Sequence, residues 1–253
     1  MEITFLGTGT SGGVPFIGCQ CEVCKSTDPR DNRLRCSILI KTNDLTFAVD
    51  CGPDFRQQML REDIRHLDAL LMTHSHKDHT GGLDDIRAYN FMNKKAMDIY
   101  CDYPTELGLK DQYSYVFTET DYPYLPQINF IRIDDSPFKM GSLDVIPIEV
   151  MHGKMPVKAF RFGDFTYITD AKTITEKERQ KIRGTKILVV NALRYEDHYS
   201  HHTVDEAMEL TEDIKPEVTY LIHMSHQFGL HKEQEKKLPP HIRPAYDGLK
   251  IIV

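Results

Sequence analysis

The stretch that decides the reading of this chain runs Leu70-Leu71-Met72-Thr73-His74-Ser75-His76-Lys77-Asp78-His79-Thr80-Gly81-Gly82. An apolar strand gives way to three imidazoles and one carboxylate within six residues. Protonated, these imidazoles would repel one another, and burial would be expensive unless a cation gathered them. A metal ion is such a cation. Placed between a strand end and a following helix, the loop can point His74 and His76 one way and Asp78 and His79 another, which serves two adjacent ions. Mixed imidazole and carboxylate donors suit Zn, Mn or Fe rather than Ca or Mg.

One loop cannot close two coordination spheres, so further ligands are expected at other strand ends. His152 follows the apolar run 145–150, Asp170 follows 165–168, and His223 follows 219–222. Such positions converge on one rim of a sheet. Apolar and alternating runs predict strands at 2–5, 37–41, 46–49, 69–72, 98–101, 128–133, 143–149, 158–162, 165–168, 187–190 and 219–222. Helical patterns cover 53–62, 83–93, 175–182 and 204–214, the last opened by Thr203 with Glu206 three residues on, a capping box. Strands in two sets with helices between and after them give an α/β chain of two packed sheets covered by helices, a four-layer αββα sandwich. The segment 103–135, rich in Pro and Tyr, reads as an irregular excursion or lid.

Composition sets the boundaries. The 253 residues, 40% hydrophobic, suffice for one large domain spanning 1–253, and no repeat or linker interrupts them. No apolar run is long enough to span a membrane, and the opening Met1-Glu2-Ile3-Thr4-Phe5 lacks a basic leader, so a cytoplasmic protein without membrane partners is expected. A net charge of -7 disfavours nucleic acid, whose binding rests on neutralising phosphates. It leaves room for a small anion held locally. The twelve His and six Cys are the outlier.

Three of those Cys stand together in Cys19-Gln20-Cys21-Glu22-Val23-Cys24, within a loop at 18–26. In a reducing compartment this density points to a thiolate metal site rather than a disulfide, with redox thiols as the alternative. A closed structural Zn needs four ligands, and His226, three residues past His223, is a candidate fourth. Cys36, Cys51 and Cys101 lie in or beside apolar strands and read as core residues. Gly7-Thr8-Gly9-Thr10-Ser11-Gly12-Gly13 lacks the ending of a phosphate loop and reads as a turn flanking the rim. Asp50, Asp54, Asp84 and Asp85 are carboxylates able to orient ligand imidazoles from behind.

On these residues the chain resembles the metallo-β-lactamase-fold hydrolases, whose His-x-His-x-Asp-His motif stands here as His74, His76, Asp78 and His79. The resemblance implies two divalent ions, Zn or Mn: one held by His74, His76 and His152, the other by Asp78, His79 and His223, with Asp170 bridging. A bridging Asp rather than a Cys looks like the superfamily's phosphodiesterases. The Cys loop with a distant His is similar to that of the PhnP-like phosphodiesterases, which act on phosphoribosyl 1,2-cyclic phosphate in the carbon-phosphorus lyase pathway, and this implies one structural Zn on Cys19, Cys21, Cys24 and His226. One departure is Asn191, where relatives often carry Asp.

The function so implied is hydrolysis of a small, anionic, cyclic phosphodiester by a hydroxide that the two ions share, with Asp78 in the catalytic centre. Expulsion of an alkoxide needs an acid, and His suits that role near neutrality. In Asp197-His198-Tyr199-Ser200-His201-His202-Thr203 the resemblance places it on His201, with His198 and His202 as rivals. Alternatives on the same scaffold are a lactam or thioester hydrolase and a tRNA 3′-end endonuclease. A different class is a metal carrier without turnover. Tyr113, Tyr115, Phe117, Tyr122 and Tyr124 can either stack on a substrate or serve a homodimer contact or local packing.

Overall fold

The computed structural model describes residues 1–119 and 122–253. Two seven-stranded sheets dominate it. The first contains β1 (Glu2–Gly7), β2 (Ser37–Lys41), β3 (Thr46–Val49), β4 (Ala69–Leu71), β5 (Met97–Cys101), β6 (Ile128–Arg132) and β14 (Lys250–Ile252), in the order β14-β1-β2-β3-β4-β5-β6. The second contains β7 (Phe138–Met140), β8 (Leu143–His152), β9 (Met155–Phe162), β10 (Phe165–Ile168), β11 (Ile187–Asn191), β12 (Val218–Ile222) and β13 (Ile242–Pro244), in the order β13-β12-β11-β10-β9-β8-β7. Strands β3 to β6 pair in parallel, as do β10 to β13.

The helices are α1 (Phe55–Arg61), α2 (Lys77–Thr80), α3 (Arg87–Asn93), α4 (Tyr103–Gln112), α5 (Ser114–Phe117), α6 (Glu176–Ile182), α7 (Val204–Ile214) and α8 (His231–Lys237). Side-chain alternation along the strands sorts the core into three layers. Ile3, Phe5, Ile38, Ile40, Phe47 and Val49 meet Val145, Phe160, Phe162, Tyr167 and Val189 between the sheets. Their chain neighbours Leu6, Leu39, Ala48 and Leu70 face outward and pack under Phe55, Met59, Ile86, Tyr89 and Leu109. On the other outer face Ile148, Val150, Leu188 and Val190 lie against Ile182, Val204, Ala207 and Leu210. The expected αββα sandwich is the fold observed. No helix among the described residues is long and apolar enough to cross a membrane.

Local expectations fare unevenly. The capping box of α7 is present, with Thr203 Oγ1 accepting from Glu206 N (3.1 Å) and Glu206 Oε2 accepting from Thr203 N (2.8 Å). The predicted helix at 83–93 is a 3-10 turn, Leu83–Ile86, running into α3. The segment 103–135 is not irregular: it contains α4, α5 and β6. Of its prolines, Pro104 stands in the first turn of α4, where its missing N–H is no loss, and Asp102 caps that turn by accepting from Thr105 N (3.0 Å). Its aromatic residues are engaged within the chain. Tyr113 is buried and donates to Thr80 O (2.7 Å), Tyr115 Oη bonds Asp84, Phe117 packs on Phe130, and Tyr124 touches Tyr122 and Phe91. Thr120 and Asp121, in the same excursion, lie outside the described residues.

Candidate metal centre

The C-terminal ends of β3, β4, β8, β10, β11 and β12 meet at one rim, where α/β sheets place ligands. Asp50 follows β3, the His74–His79 loop follows β4, His152 ends β8, Asp170 follows β10 and His223 follows β12. Three of these residues bend the backbone out of its common range: Asp50 (φ 64°), Asp170 (φ 54°) and His223 (φ 55°) are left-handed. The other non-glycine residues at positive φ among the described residues are Asp63, Lys94 and Lys215. Lys94 and Lys215 are helix C-caps and Asp63 follows the end of α1, positions where such a turn is routine. The rim has no such excuse, so the surrounding structure holds it there to aim side chains.

Asp170 is the hub. Its Oδ2 lies 3.0 Å from His79 Nε2, and its Oδ1 lies 3.4 Å from His223 Nε2, 3.7 Å from His201 Nδ1 and 3.9 Å from His152 Nε2. Asp78 Oδ2 approaches His79 Nε2 (3.4 Å) and His223 Nε2 (3.6 Å). Ligand atoms of Asp78, His79, Asp170 and His223 therefore fall within 4.8 Å of one another, as do those of His152, Asp170 and His201. The rings of His74, His76 and His152 cluster beside them, with centroids 4.7 Å (His74–His76), 5.2 Å (His76–His152) and 5.9 Å (His74–His152) apart. All seven residues expected at the two-ion site converge. His201, expected as the acid, joins them closely enough to share a group with His152.

In three of the rings the outer nitrogen is already committed. His79 Nδ1 donates to Asp50 Oδ2 (2.7 Å), and His152 Nδ1 donates to Ser200 O (2.9 Å). Thr73 gives its one hydroxyl proton to Asp50 Oδ2 (2.8 Å) and so accepts from His74 Nδ1 (2.9 Å). In each of these three rings this turns Nε2 inward, the nitrogen a metal ion would take in place of its proton. The inward nitrogens of His74, His79 and His223, and Nδ1 of His201, are buried without a hydrogen-bond partner. Buried polar atoms rarely stay orphaned, and several together facing two carboxylates are what divalent ions would satisfy. The residues present fit the metals that the fold implies.

Charges within this pocket are strongly coupled. Burial opposes the His79 cation, but Asp170, Asp78 and Asp50 outweigh it and raise its pKa well above normal. Burial raises the Asp170 carboxyl, and His223 and His79 more than reverse that, holding it far below the ordinary range. His74 is lowered by burial and by the neighbouring His79 cation. His201 is pushed down to about 2, first by burial and then by His223.

Of the carboxylates expected to orient imidazoles, Asp50 alone does so. Asp54 instead receives the Arg35 guanidinium (3.2 Å), and Asp84 pairs with Arg87 and Tyr115. Asn191 serves the backbone instead. Its amide clasps Ala171 from both sides, Oδ1 accepting from N (2.8 Å) and Nδ2 donating to O (2.9 Å), which fixes the chain next to Asp170. Sequence reasoning missed Thr73 and the Ser200 carbonyl. Exposed Tyr199 lies on the Gly153 turn beside His152, where any Cβ on Gly153 would meet its ring at 2.6 Å.

The Cys loop assembles as expected. Cys19 Sγ and Cys21 Sγ lie 3.4 and 3.3 Å from His226 Nδ1, and these donors with Cys24 form one group within 4.8 Å. Amide-to-sulfur bonds knit the loop, from Cys24 N to Cys21 Sγ (3.5 Å) and from Phe16 N to Cys24 Sγ (3.3 Å). These contacts lower Cys21 to about 6, whereas burial raises Cys24 to about 11.

Comparison with known proteins agrees with this geometry. Residues 46–224 match the family model described as a beta-lactamase superfamily domain. A crystal structure of a diphosphatase from the PhnP family superposes with a TM-score of 0.93 at 37% identity, covering 100% of this chain and 97% of that one. Zn-bound PqqB from Methylobacterium extorquens shares the fold, with a TM-score of 0.79 at 18% identity and full coverage of both chains. A curated relative, an octanoyltransferase of Porphyromonas gingivalis, is 40% identical over 256 residues, 100% of this chain but 52% of its own length. The chain thus spans about half of that relative. With a family model matched across most of its length, a full-length neighbour and an inward-facing His/Asp rim, the chain belongs to the β-lactamase superfamily and has the metallo-β-lactamase fold.

Proposed function

We propose that the chain is a dinuclear metal-dependent phosphodiesterase acting on a small, cyclic phosphodiester such as phosphoribosyl 1,2-cyclic phosphate. The observation that carries this reading is Asp170, a buried carboxylate set between two groups of imidazoles whose Nε2 atoms face inward. In this reading His74, His76 and His152 would hold one divalent ion, Zn or Mn, Asp78, His79 and His223 would hold the other, and Asp170 would serve both. Such ions supply Lewis acidity toward water and toward phosphoryl oxygens. Asp50, through His79 and Thr73, keeps the imidazoles in the ligating tautomer. Asn191 keeps Asp170 aimed. Cys19, Cys21, Cys24 and His226 hold a structural Zn at the edge of the fold.

His201 is the acid that protonates the leaving oxygen. Its Nδ1 faces the same space as Asp170, within reach of a group held there. Burial makes it a weak proton carrier in the free chain, and a bound phosphodiester anion beside it favours the imidazolium and supplies the missing proton affinity. His202 is buried behind the site, with its backbone N–H bonded to Ala171 O (2.7 Å), and the His198 ring lies tilted 5.0 Å from that of His201.

A second reading, hydrolysis of a diphosphate, is favoured by the PhnP-family neighbour described as a diphosphatase. The name of the Porphyromonas relative belongs to a protein about twice as long, and our reading assigns this chain no octanoyl transfer. One assay series on metal-quantified protein decides: bis(p-nitrophenyl) phosphate, ribose 1,2-cyclic phosphate, a 2′,3′-cyclic nucleotide, a diphosphate diester and a chromogenic lactam. Turnover of the phosphodiesters is expected. Turnover of the diphosphate alone would establish the second reading, and turnover of the lactam alone would overturn both.

A further inference from the structure

We infer that Gln112, at the end of α4, is a positioning residue for the His74–His79 loop. This inference rests on the two-metal reading of that loop. The loop leaves the first sheet after β4 and runs through α2 to Gly81-Gly82, and its ligating side chains are only as well placed as its backbone. Gln112 spans it with one carboxamide: Nε2 donates to Ser75 O (2.5 Å), while Oε1 accepts from Thr80 Oγ1 (2.9 Å). Ser75 lies between His74 and His76, and Thr80 follows His79, so the two bonds grip both ends of the ligand-bearing segment.

The orientation of the amide follows from proton counting. Ser75 O can only accept, so it must face the NH₂ group. Thr80 carries one hydroxyl proton and has two acceptors in range, Gln112 Oε1 and His76 O (3.0 Å), and His76 O already receives His79 N (3.0 Å). The hydroxyl proton is therefore best used on Gln112. The helix is brought close enough by Gly108, where a Cβ would stand 2.5 Å from Ser75 Cβ, and is locked there by Tyr113 Oη on Thr80 O (2.7 Å). The excursion that the sequence marks as a lid is thus a brace behind the ligands.

The test is metal titration of the purified, chelator-stripped chain with Zn or Mn, following each class of site by competition with a chromogenic chelator, alongside the apo melting temperature. Gln112→Met keeps the side-chain length and deletes both hydrogen bonds; Gln112→Ala deletes the packing as well. Both variants are expected to bind the His/Asp ions about tenfold or more weakly, as loss of a ligand's supporting bond does elsewhere. Occupancy of the Cys19/Cys21/Cys24/His226 site, the internal control, should not move, nor should the apo melting temperature of Gln112→Met. Wild-type affinity in Gln112→Met, or a loss confined to Gln112→Ala, would overturn the inference and leave the two-metal reading standing. A wild-type chain that binds metal at the Cys site alone would overturn the two-metal reading and this inference with it.

Discussion

Two regions of this molecule gather metal-ligating atoms, and they are built in opposite ways. In the His/Asp rim, His74, His79, Asp170 and His223 are at most 3% exposed and come from three strand ends, and the three imidazoles keep inward nitrogens without hydrogen bonds. In the Cys loop three of four donors are neighbours in sequence, all four are half-buried, and the sulfurs already receive backbone amides. The loop offers a complete set of four donors, three thiolates and one imidazole, which leaves no position for a substrate. The rim offers imidazoles and shared carboxylates around a common space, the arrangement that can hold ions and still expose them. A site for chemistry needs strand ends from a whole fold, while a site for bracing needs one turn and a distant His.

The largest effect should separate the two regions outright. Asp170→Asn is expected to abolish phosphodiester turnover, by roughly a thousandfold or more, and to remove both rim ions while the Cys-bound ion stays, as elemental analysis would show. His201→Ala should lower turnover by about 10²- to 10⁴-fold with the metal content intact, the loss being greatest for esters of poor leaving groups and small for p-nitrophenol. Equal losses across leaving groups would refute its role as acid. Cys21→Ser should do the converse: a lower melting temperature and one ion fewer, with turnover per loaded rim unchanged.

Smaller effects probe the support. Asp50 accepts three hydrogen bonds, from Thr73 N, Thr73 Oγ1 and His79 Nδ1. An amide there must turn an NH₂ against one donor, so Asp50→Asn should weaken rim metal binding by about 10- to 100-fold. A further effect lies away from both sites. His231 is buried, accepts from Arg33 Nη2 (3.2 Å), and is held down to about 4 by burial first and Arg33 second. Its folded pKa lies below the unfolded value of about 6.5, so the unfolded chain binds the extra proton between those values. The stability it contributes is present above pH 6.5 and is lost as the pH falls toward 4, by up to about 3 kcal/mol. His231→Asn should flatten that acid limb in a melting series, whereas an unchanged slope would exclude His231 as its source.

Much of this was legible in the sequence because the rim ligands follow apolar runs directly, and a strand end is a position that periodicity finds well. The eleven expected strands are present, and the three further ones, β7, β13 and β14, are three-residue edge pieces too short to show a period. Asp50 was legible as a carboxylate at a strand end. The partners of the imidazoles were harder. Thr73 is an unremarkable residue by type, Ser200 acts through its carbonyl, and Gln112 lies 37 residues from the Ser75 carbonyl it holds. Backbone groups and long-range contacts carry no residue-type signal. The excursion was misread because Pro104 and a run of tyrosines resemble a loop, although Pro in a first turn and Tyr113 in a core are both consistent with helix.

That the buried rim is the working centre and the Cys loop a brace can be tested by titrating chelator-stripped protein with metal while following bis(p-nitrophenyl) phosphate hydrolysis. Filling the Cys site is expected to give no turnover, with activity rising only as the rim ions bind. Full activity with one ion per chain at the Cys site, or none after three ions are bound, would contradict it.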